Sequence, residues 1–271
     1  MAWACILRTT MRVAGVAALA AAPAAFGGCY DAGDVTGSIT APPQAAASDA
    51  QLRAYAEASQ RRYQANPGEK SASIEYARVL RALTRYREAV AVMQTAAVKS
   101  PKDEDVLGEY GKALADTGDL SQARDVLTRA YTPDNPKWDV MSVQGAVADQ
   151  LGDHAAAMQF YRDALKIAPG EPSVLTNMGL SLALAQRLPE AESALRQAVR
   201  SPKADARMRG DLALALALEG KFAEAEQVSQ ADLPPEAARR NVEAIRRMLA
   251  GGDRRAFGRP ARTAPEANGA G

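Results

Sequence analysis

The chain has 271 residues, and its 33 Lys and Arg stand against 32 Asp and Glu for a formal net charge of +1. With both signs interspersed, there is no concentrated basic face of the kind that nucleic acid demands. Hydrophobic residues make up 47% of the chain but aromatics only 5%, a composition suited to tightly stacked helices rather than to one large core.

Residues 1–29 are predicted to be a secretory leader. Arg8 and Arg12 precede an apolar run at 13–26 that closes on Gly27-Gly28-Cys29. Charged flank, short apolar segment and small residues before a cleavage point are the parts of such a signal, and the run is short for a spanning helix. Met11 is an alternative start, because residues 11–29 form a complete leader by themselves. Two processing routes are open. Phe26-Gly27-Gly28-Cys29 resembles a lipobox, with phenylalanine where leucine is usual, and Cys29 would then become the diacylated N-terminus. The other route is cleavage near Ala22-Pro23-Ala24 without a lipid. Either way Cys5 is lost with the leader, so no internal disulfide is available although an exported compartment would permit one.

Residues 30–50 are rich in Gly, Ala, Pro, Ser and Asp without periodicity and read as a flexible tether. Residues 51–66 form one helix, stopped by Pro67. From there a fixed frame takes over, clearest at 138–171. Counting Trp138 as place 1, Gly145 falls at place 8, Ala148 at 11, Gly152 at 15, Ala157 at 20, Tyr161 at 24, Ala164 at 27 and Pro169 at 32. Small residues at places 8 and 20 let two helices approach closely. Glycine at place 15 supplies a turn conformation that other residues adopt only with strain, and proline at place 32 stops the second helix. The frame recurs without insertion or deletion as units 70–103, 104–137, 138–171, 172–205 and 206–233. Place 8 is Ala77, Gly111, Gly145, Gly179 and Ala213 in turn, and place 20 is Ala89, Ala123, Ala157, Ala191 and Ala225. Thr84 and Gln186 stand at the turn place of units 1 and 4, and Asp232 stands at place 27 of unit 5 where a small residue is usual. Pro234-Pro235 opens a last helix over 235–250 with Val242, Ile245 and Leu249 as its apolar stripe, while Arg239, Arg240, Arg246 and Arg247 stay wet. Residues 251–271 are predicted to be disordered.

A period of 34 residues with these small, bulky and breaker places resembles the tetratricopeptide repeat (TPR). The implied fold is all-α: a superhelical solenoid of about five helical hairpins over residues 51–250, with a capping helix at each end, since a terminal hairpin otherwise exposes its stacking face.

Residues capable of catalysis are few. His154 is the only histidine and follows Gly152-Asp153 at the start of a second helix, where it reads as a solvated turn residue rather than a base or a metal ligand. Asp103-Glu104-Asp105 opens a helix, where negative charge complements the helix N-terminus. No nucleophile elbow, phosphate loop or dinucleotide fingerprint occurs in the repeats. Neither enzymatic activity, nor a cofactor, nor a metal site is expected.

The concave surface carries the functional expectation. In TPR hairpins the first helix lines the groove, chiefly with places 2, 5, 9, 12 and 13. Place 9 is Arg78, Lys112, Ala146, Leu180 and Leu214; place 12 includes Arg81, Asp149 and Ala183; place 13 ends with Leu184 and Leu218. The groove is therefore expected to be basic and polar in its first units and apolar in its last two, a site for a helix or peptide of a protein partner. The competing expectation is that helix 235–250 folds into the apolar end and hides Leu214 and Leu218. Asn177 is expected either to orient a bound backbone or to be solvated. Ile74 stands where chaperone-docking TPR proteins place a carboxylate-clamping lysine, so a chaperone adaptor role is not supported.

Segments 76–94, 110–130, 144–185 and 212–249, with Ala231-Asp232-Leu233-Pro234-Pro235 before the last helix, resemble the TPR lipoprotein of tight-adherence (Flp) pilus assembly systems, TadD. The resemblance covers about residues 70–249 and extends to the leader with its cysteine. It implies a periplasm-facing accessory, anchored in the outer membrane through a lipid on Cys29, whose protein partners are the secretin or other pilus assembly components. The alternative is a soluble periplasmic TPR adaptor in envelope or polysaccharide biogenesis.

Overall fold

A computed structural model of the chain describes residues 49–251. The expected leader with Cys5 and Cys29, the tether up to residue 48 and the C-terminal tail from 252 lie outside the described residues.

Twelve helices follow one another: α1 (Asp49–Ala65), α2 (Lys70–Ala82), α3 (Tyr86–Lys99), α4 (Glu104–Thr117), α5 (Leu120–Leu127), α6 (Trp138–Gln150), α7 (His154–Ile167), α8 (Pro172–Leu184), α9 (Leu188–Val199), α10 (Ala206–Leu218), α11 (Phe222–Ser229) and α12 (Pro235–Ala250). There is no strand among the described residues. The expected all-α solenoid is what the structure shows. The first helix of every unit starts on place 1 of the frame, at Lys70, Glu104, Trp138, Pro172 and Ala206. Each helix packs on its chain neighbours and each first helix also on the first helix of the next unit, so neighbouring units are in contact along the whole array.

The packing is built from the marked places. Place 20 is alanine in all five units and fully buried in each. A Cβ added at Gly111 would stand 2.5 Å from Leu127, one at Gly145 2.5 Å from Tyr161, and one at Gly179 2.6 Å from Leu195. Places 8 and 24 are thus a hole and its knob, and the hole is empty of a methyl group wherever the knob is leucine or tyrosine. Where place 24 holds the flexible Met93 or the small Ser229, place 8 is alanine. Close packing makes that exchange of volume necessary.

All five turn places take the left-handed backbone. Gly118, Gly152 and Gly220 have φ between 84° and 87°, and Thr84 (59°) and Gln186 (62°) adopt the same conformation without being glycine. For a β-branched residue this costs energy. Thr84→Gly is therefore expected to stabilise the protein by about 1 kcal/mol, seen as a higher urea midpoint at unchanged slope. An unchanged midpoint would mean that the turn tolerates threonine at no cost.

Two second helices are shorter than the frame allows. Helix α5 ends at Leu127, because Pro133 and Pro136 forbid helical continuation and residues 132–135 close a turn through Asn135 N–H to the Thr132 carbonyl (3.1 Å). Helix α11 ends at Ser229, and Asp232 is turned outward to grip Arg209 with two hydrogen bonds of 2.6 and 2.5 Å. That bidentate pair explains an acid at a place otherwise kept small. At the ends, α1 lies on α2, with Tyr63 stacked on Tyr76 at 5.5 Å. Helix α12 stacks where the first helix of a sixth unit would lie, burying Val242 on the cluster of Leu212, Ala215, Leu216 and Ala225; Ala238 is buried as well.

Candidate functional site

The first helices α2, α4, α6, α8 and α10 line the concave side. Across α2, α4 and the start of α6 they enclose a cleft of about 540 Å³ bordered by Ile74, Glu75, Arg78, Glu109, Lys112 and Asp139, among others. Its charges are joined from one unit to the next. Arg62 reaches Glu75 (2.6 Å) and Tyr55 donates to the same carboxylate (2.8 Å). Lys70 bridges Asp103 (2.9 Å) and Asp105 (2.7 Å), Arg78 donates to Glu109 (3.0 Å), and Lys112 joins Glu109 (2.9 Å) to Asp139 (2.6 Å). Arg81 is paired with Asp116, both side chains only 3% exposed, and lies 3.7 Å from Glu109. Lys137 closes the series on Asp105. Burial pushes the Glu109 carboxyl up, but Lys112, Arg78 and Arg81 outweigh it and hold the group at about 2.

This corrects the expectation of a basic groove. Arg81 and Lys112 are buried and neutralised by acids at places 2, 6 and 13, and only Arg78 keeps half of its side chain in solvent, with one arm on Glu109. A cation lining a narrow superhelix must be matched locally, because desolvating it alone costs several kcal/mol. The acids that do the matching were missed in the sequence. Their signal is a base at place 9 or 12 followed by an acid 27, 31 or 35 residues later, on the first helix of the next unit.

The middle of the solenoid holds a second polar knot. Asp149, expected to face the groove, is largely buried; its carboxylate accepts hydrogen bonds from Tyr161 Oη and Ser181 Oγ, both at 2.9 Å, and lies 2.9 Å from His154 Nδ1. Burial raises the Asp149 carboxyl, and the bonds from His154, Ser181 and Tyr161 offset part of that rise. Burial also pushes the Tyr161 phenol well up, with Asp149 adding to it. His154 is thus a half-exposed side chain tied to a carboxylate rather than a freely solvated one. Hydroxyl and imidazole sit side by side on one oxygen, not in the serine-to-histidine series that nucleophilic catalysis uses. Asn177 is neither solvated nor available to a peptide: it is buried and donates to Ser142 Oγ at 3.1 Å. Among the described residues no group of three or more His, Cys, Asp or Glu could hold a metal ion.

In the last two units the concave lining turns apolar. Leu180 is buried and withdrawn from any partner, whereas Leu184, Leu214 and Leu218 stay partly exposed around Leu182 and Ala183, with Met158 and Met178 beside them. Helix α12 does not fill this region, since its stripe of Val242 and Ile245 belongs to the stacking face formed by Leu212, Ala215 and Leu216. It does reach the edge of the patch: Leu249 and Leu218 share a cleft with Leu188 and Phe222, and Arg246 lies 5.4 Å over the Phe222 ring.

A tetratricopeptide repeat model matches residues 75–137, 109–172 and 176–238, in step with the five hairpins. The chain belongs to the tetratricopeptide repeat family. Solved TPR structures share its fold. It is similar to TTC0263, a thermophilic TPR protein of Thermus thermophilus, at 21% identity and a TM-score of 0.55, covering 62% of this chain and 91% of that one. It is similar to the Cut9–Hcn1 hetero-tetramer of APC/C at 15% identity and a TM-score of 0.61, over 75% of this chain and 40% of that one. It is also similar to human IFIT1 in a dimer with PPP-AAAA, at 14% identity and a TM-score of 0.60, over 76% of this chain and 52% of that one. No curated protein matches the sequence. The TPR fold is that of a protein-binding scaffold and is typically non-enzymatic. No described helix is long and apolar enough to cross a membrane.

Proposed function

We propose that this TPR protein is an exported, lipid-anchored scaffold on the periplasmic side of the cell envelope, held in the outer membrane by Cys29. There its concave face binds the secretin or another component of a Flp-type (tight adherence) pilus secretion apparatus during assembly. The pilus assignment is supported by the resemblance of segments 76–94, 110–130, 144–185 and 212–249 to the TadD lipoproteins, and the envelope assignment by the leader ending in Cys29.

The observation that carries the scaffold reading is the change of character along the groove. Units 1 and 2 spend their concave charges on holding neighbouring hairpins together, which leaves a rigid curved frame. Units 4 and 5 leave Leu184, Leu214 and Leu218 partly uncovered on that frame, and an apolar patch with a polar rim is what a helical or extended partner segment needs. Leu184→Asp combined with Leu218→Asp in the full-length lipoprotein is expected to reduce recovery of the secretin from detergent-solubilised membranes at least ten-fold, with the helical circular dichroism preserved. Undiminished recovery would place recognition on the convex face or the caps. Loss of palmitate labelling in Cys29→Ala separates the anchored scaffold from a soluble periplasmic adaptor in envelope or polysaccharide biogenesis.

A further inference from the structure

Residues 34 apart are equivalent along the solenoid, so each member of the concave ion pairs in the first units has an equivalent position further on. Glu109, at place 6 of unit 2, is met by Arg78 and Arg81 from unit 1 and by Lys112 on its own helix. Three periods along, place 6 of unit 5 is Asp211. The positions equivalent to the three cations are Leu180, Ala183 and Leu214. The acid has been kept while each base that matches it elsewhere has been replaced by an apolar residue.

Asp211 bears the mark of that loss. Its Oδ2 is buried without a hydrogen-bond partner, as is Glu109 Oε2, but Glu109 Oε2 has the Arg81 guanidinium 3.7 Å away. The neighbouring Asp205 carboxylate is occupied as a cap on the Met208 N–H (2.8 Å), and Arg209 is taken by Asp232. Burial pushes the Asp211 carboxyl up to about 6; Arg207 offsets part of this and Asp205 adds to it. At neutral pH the group is still ionised, and a partly desolvated carboxylate that Arg207 offsets only in part stands to gain from a further cation. Its surroundings indicate what that would be. Asp211, Leu214 and Leu218 lie at i, i+3 and i+7 on α10, one stripe of the helix, and Leu184 packs on the same cluster as the two leucines.

We propose that Asp211 is the anchor for a lysine or arginine side chain of a protein partner, carried in a segment whose apolar neighbours rest on Leu184, Leu214 and Leu218. The inference rests on the concave face being the binding surface and adds the chemistry of what binds there: one cation set among apolar residues. The cation would occupy the position that Arg78, Arg81 and Lys112 fill around Glu109.

The test uses the full-length protein at pH 7.5 and two fluorescein-labelled peptides of alternating leucine and alanine, one with a central lysine and the other with norleucine in its place. By fluorescence anisotropy the lysine peptide is expected to bind about ten-fold tighter, and Asp211→Asn to remove the difference. The same variant, measured without peptide, is expected to raise Tm by about 2–4 °C, because an amide is cheaper to bury than a carboxylate offset only in part. A fall in Tm would mean that the carboxylate holds the fold together, and would overturn the proposal. Equal binding of both peptides by the unaltered protein would overturn it while leaving the groove as the binding surface. If neither peptide binds, the groove reading fails together with it.

Discussion

Arg81→Met is expected to destabilise the protein by about 3–5 kcal/mol, the usual consequence of removing one partner from a buried ion pair. Arg81 and Asp116 are each 3% exposed and sit between α2 and α4, with Glu109 3.7 Å away. Without the guanidinium, Asp116 remains buried without its principal counter-charge, and Glu109 loses one of the three cations that hold it at about 2. A repeat array is stabilised unit by unit and interface by interface, so the loss falls on the junction of units 1 and 2. Amide exchange should accelerate first in α1 to α4, while α8 to α12 keep their protection. Replacing both partners, Arg81→Met with Asp116→Leu, should recover part of the loss, since an apolar pair needs no compensation. A double variant no better than the single one would show that the ion pair is not the cause.

The pH dependence has a definite sign. Glu109 is depressed from 4.5 to about 2 in the folded chain. Its contribution is therefore fully present above pH 4.5 and is lost as the pH falls through about 2. In Arg81→Met the folded value moves back toward 4.5, and acid unfolding should begin at a higher pH than in the unaltered protein.

Gly145→Leu is expected to cost about 3 kcal/mol, at the upper end of overpacking effects. Leucine at this position gains helix propensity worth about 1 kcal/mol, but its Cβ alone would lie 2.5 Å from Tyr161 Cε1 and 2.8 Å from Cδ1 and Cζ. The tyrosine cannot swing aside, because it is 1% exposed and its hydroxyl is bonded to Asp149 at 2.9 Å. The same clash at Gly111 and Gly179 faces a leucine, which has rotamers to yield with. Alanine at 145 should therefore destabilise more than alanine at 111 or 179, as read from urea midpoints. Equal effects at the three sites would mean that the Tyr161–Asp149 bond does not hold the ring in place.

The resemblance to pilus assembly lipoproteins was carried by residues that the structure uses locally. Ala231-Asp232-Leu233-Pro234-Pro235 is the turn where Asp232 clamps Arg209 and from which α12 departs to cover the last hairpin. Such a turn marks where an array of hairpins ends, so it distinguishes one TPR protein from another better than the repeated core does.

How much of this was legible beforehand depends on the range of the interaction concerned. Hairpin boundaries, the left-handed turn places, the buried alanines and both caps could be read directly, because each follows from the geometry of one helix pair: a small residue where backbones meet, a tight turn between helices, a stop after the second. Even Thr84 and Gln186 fell on the left-handed turn, as the periodicity demanded against their own preference. What the groove offers a partner could not be read this way. The helix face assigned to a residue says which way it points; whether it is then buried depends on the curvature that stacks one unit on the next. Arg81, Lys112 and Asp149 point to the concave side as their places require, yet acids or hydroxyls supplied about one period away engage all three. The repeat by itself determined the backbone and its register. Only the stacked structure decided which charges cancel and which, like Asp211, lack the cations that surround Glu109, because cancellation is a contact between units and the frame describes one unit at a time.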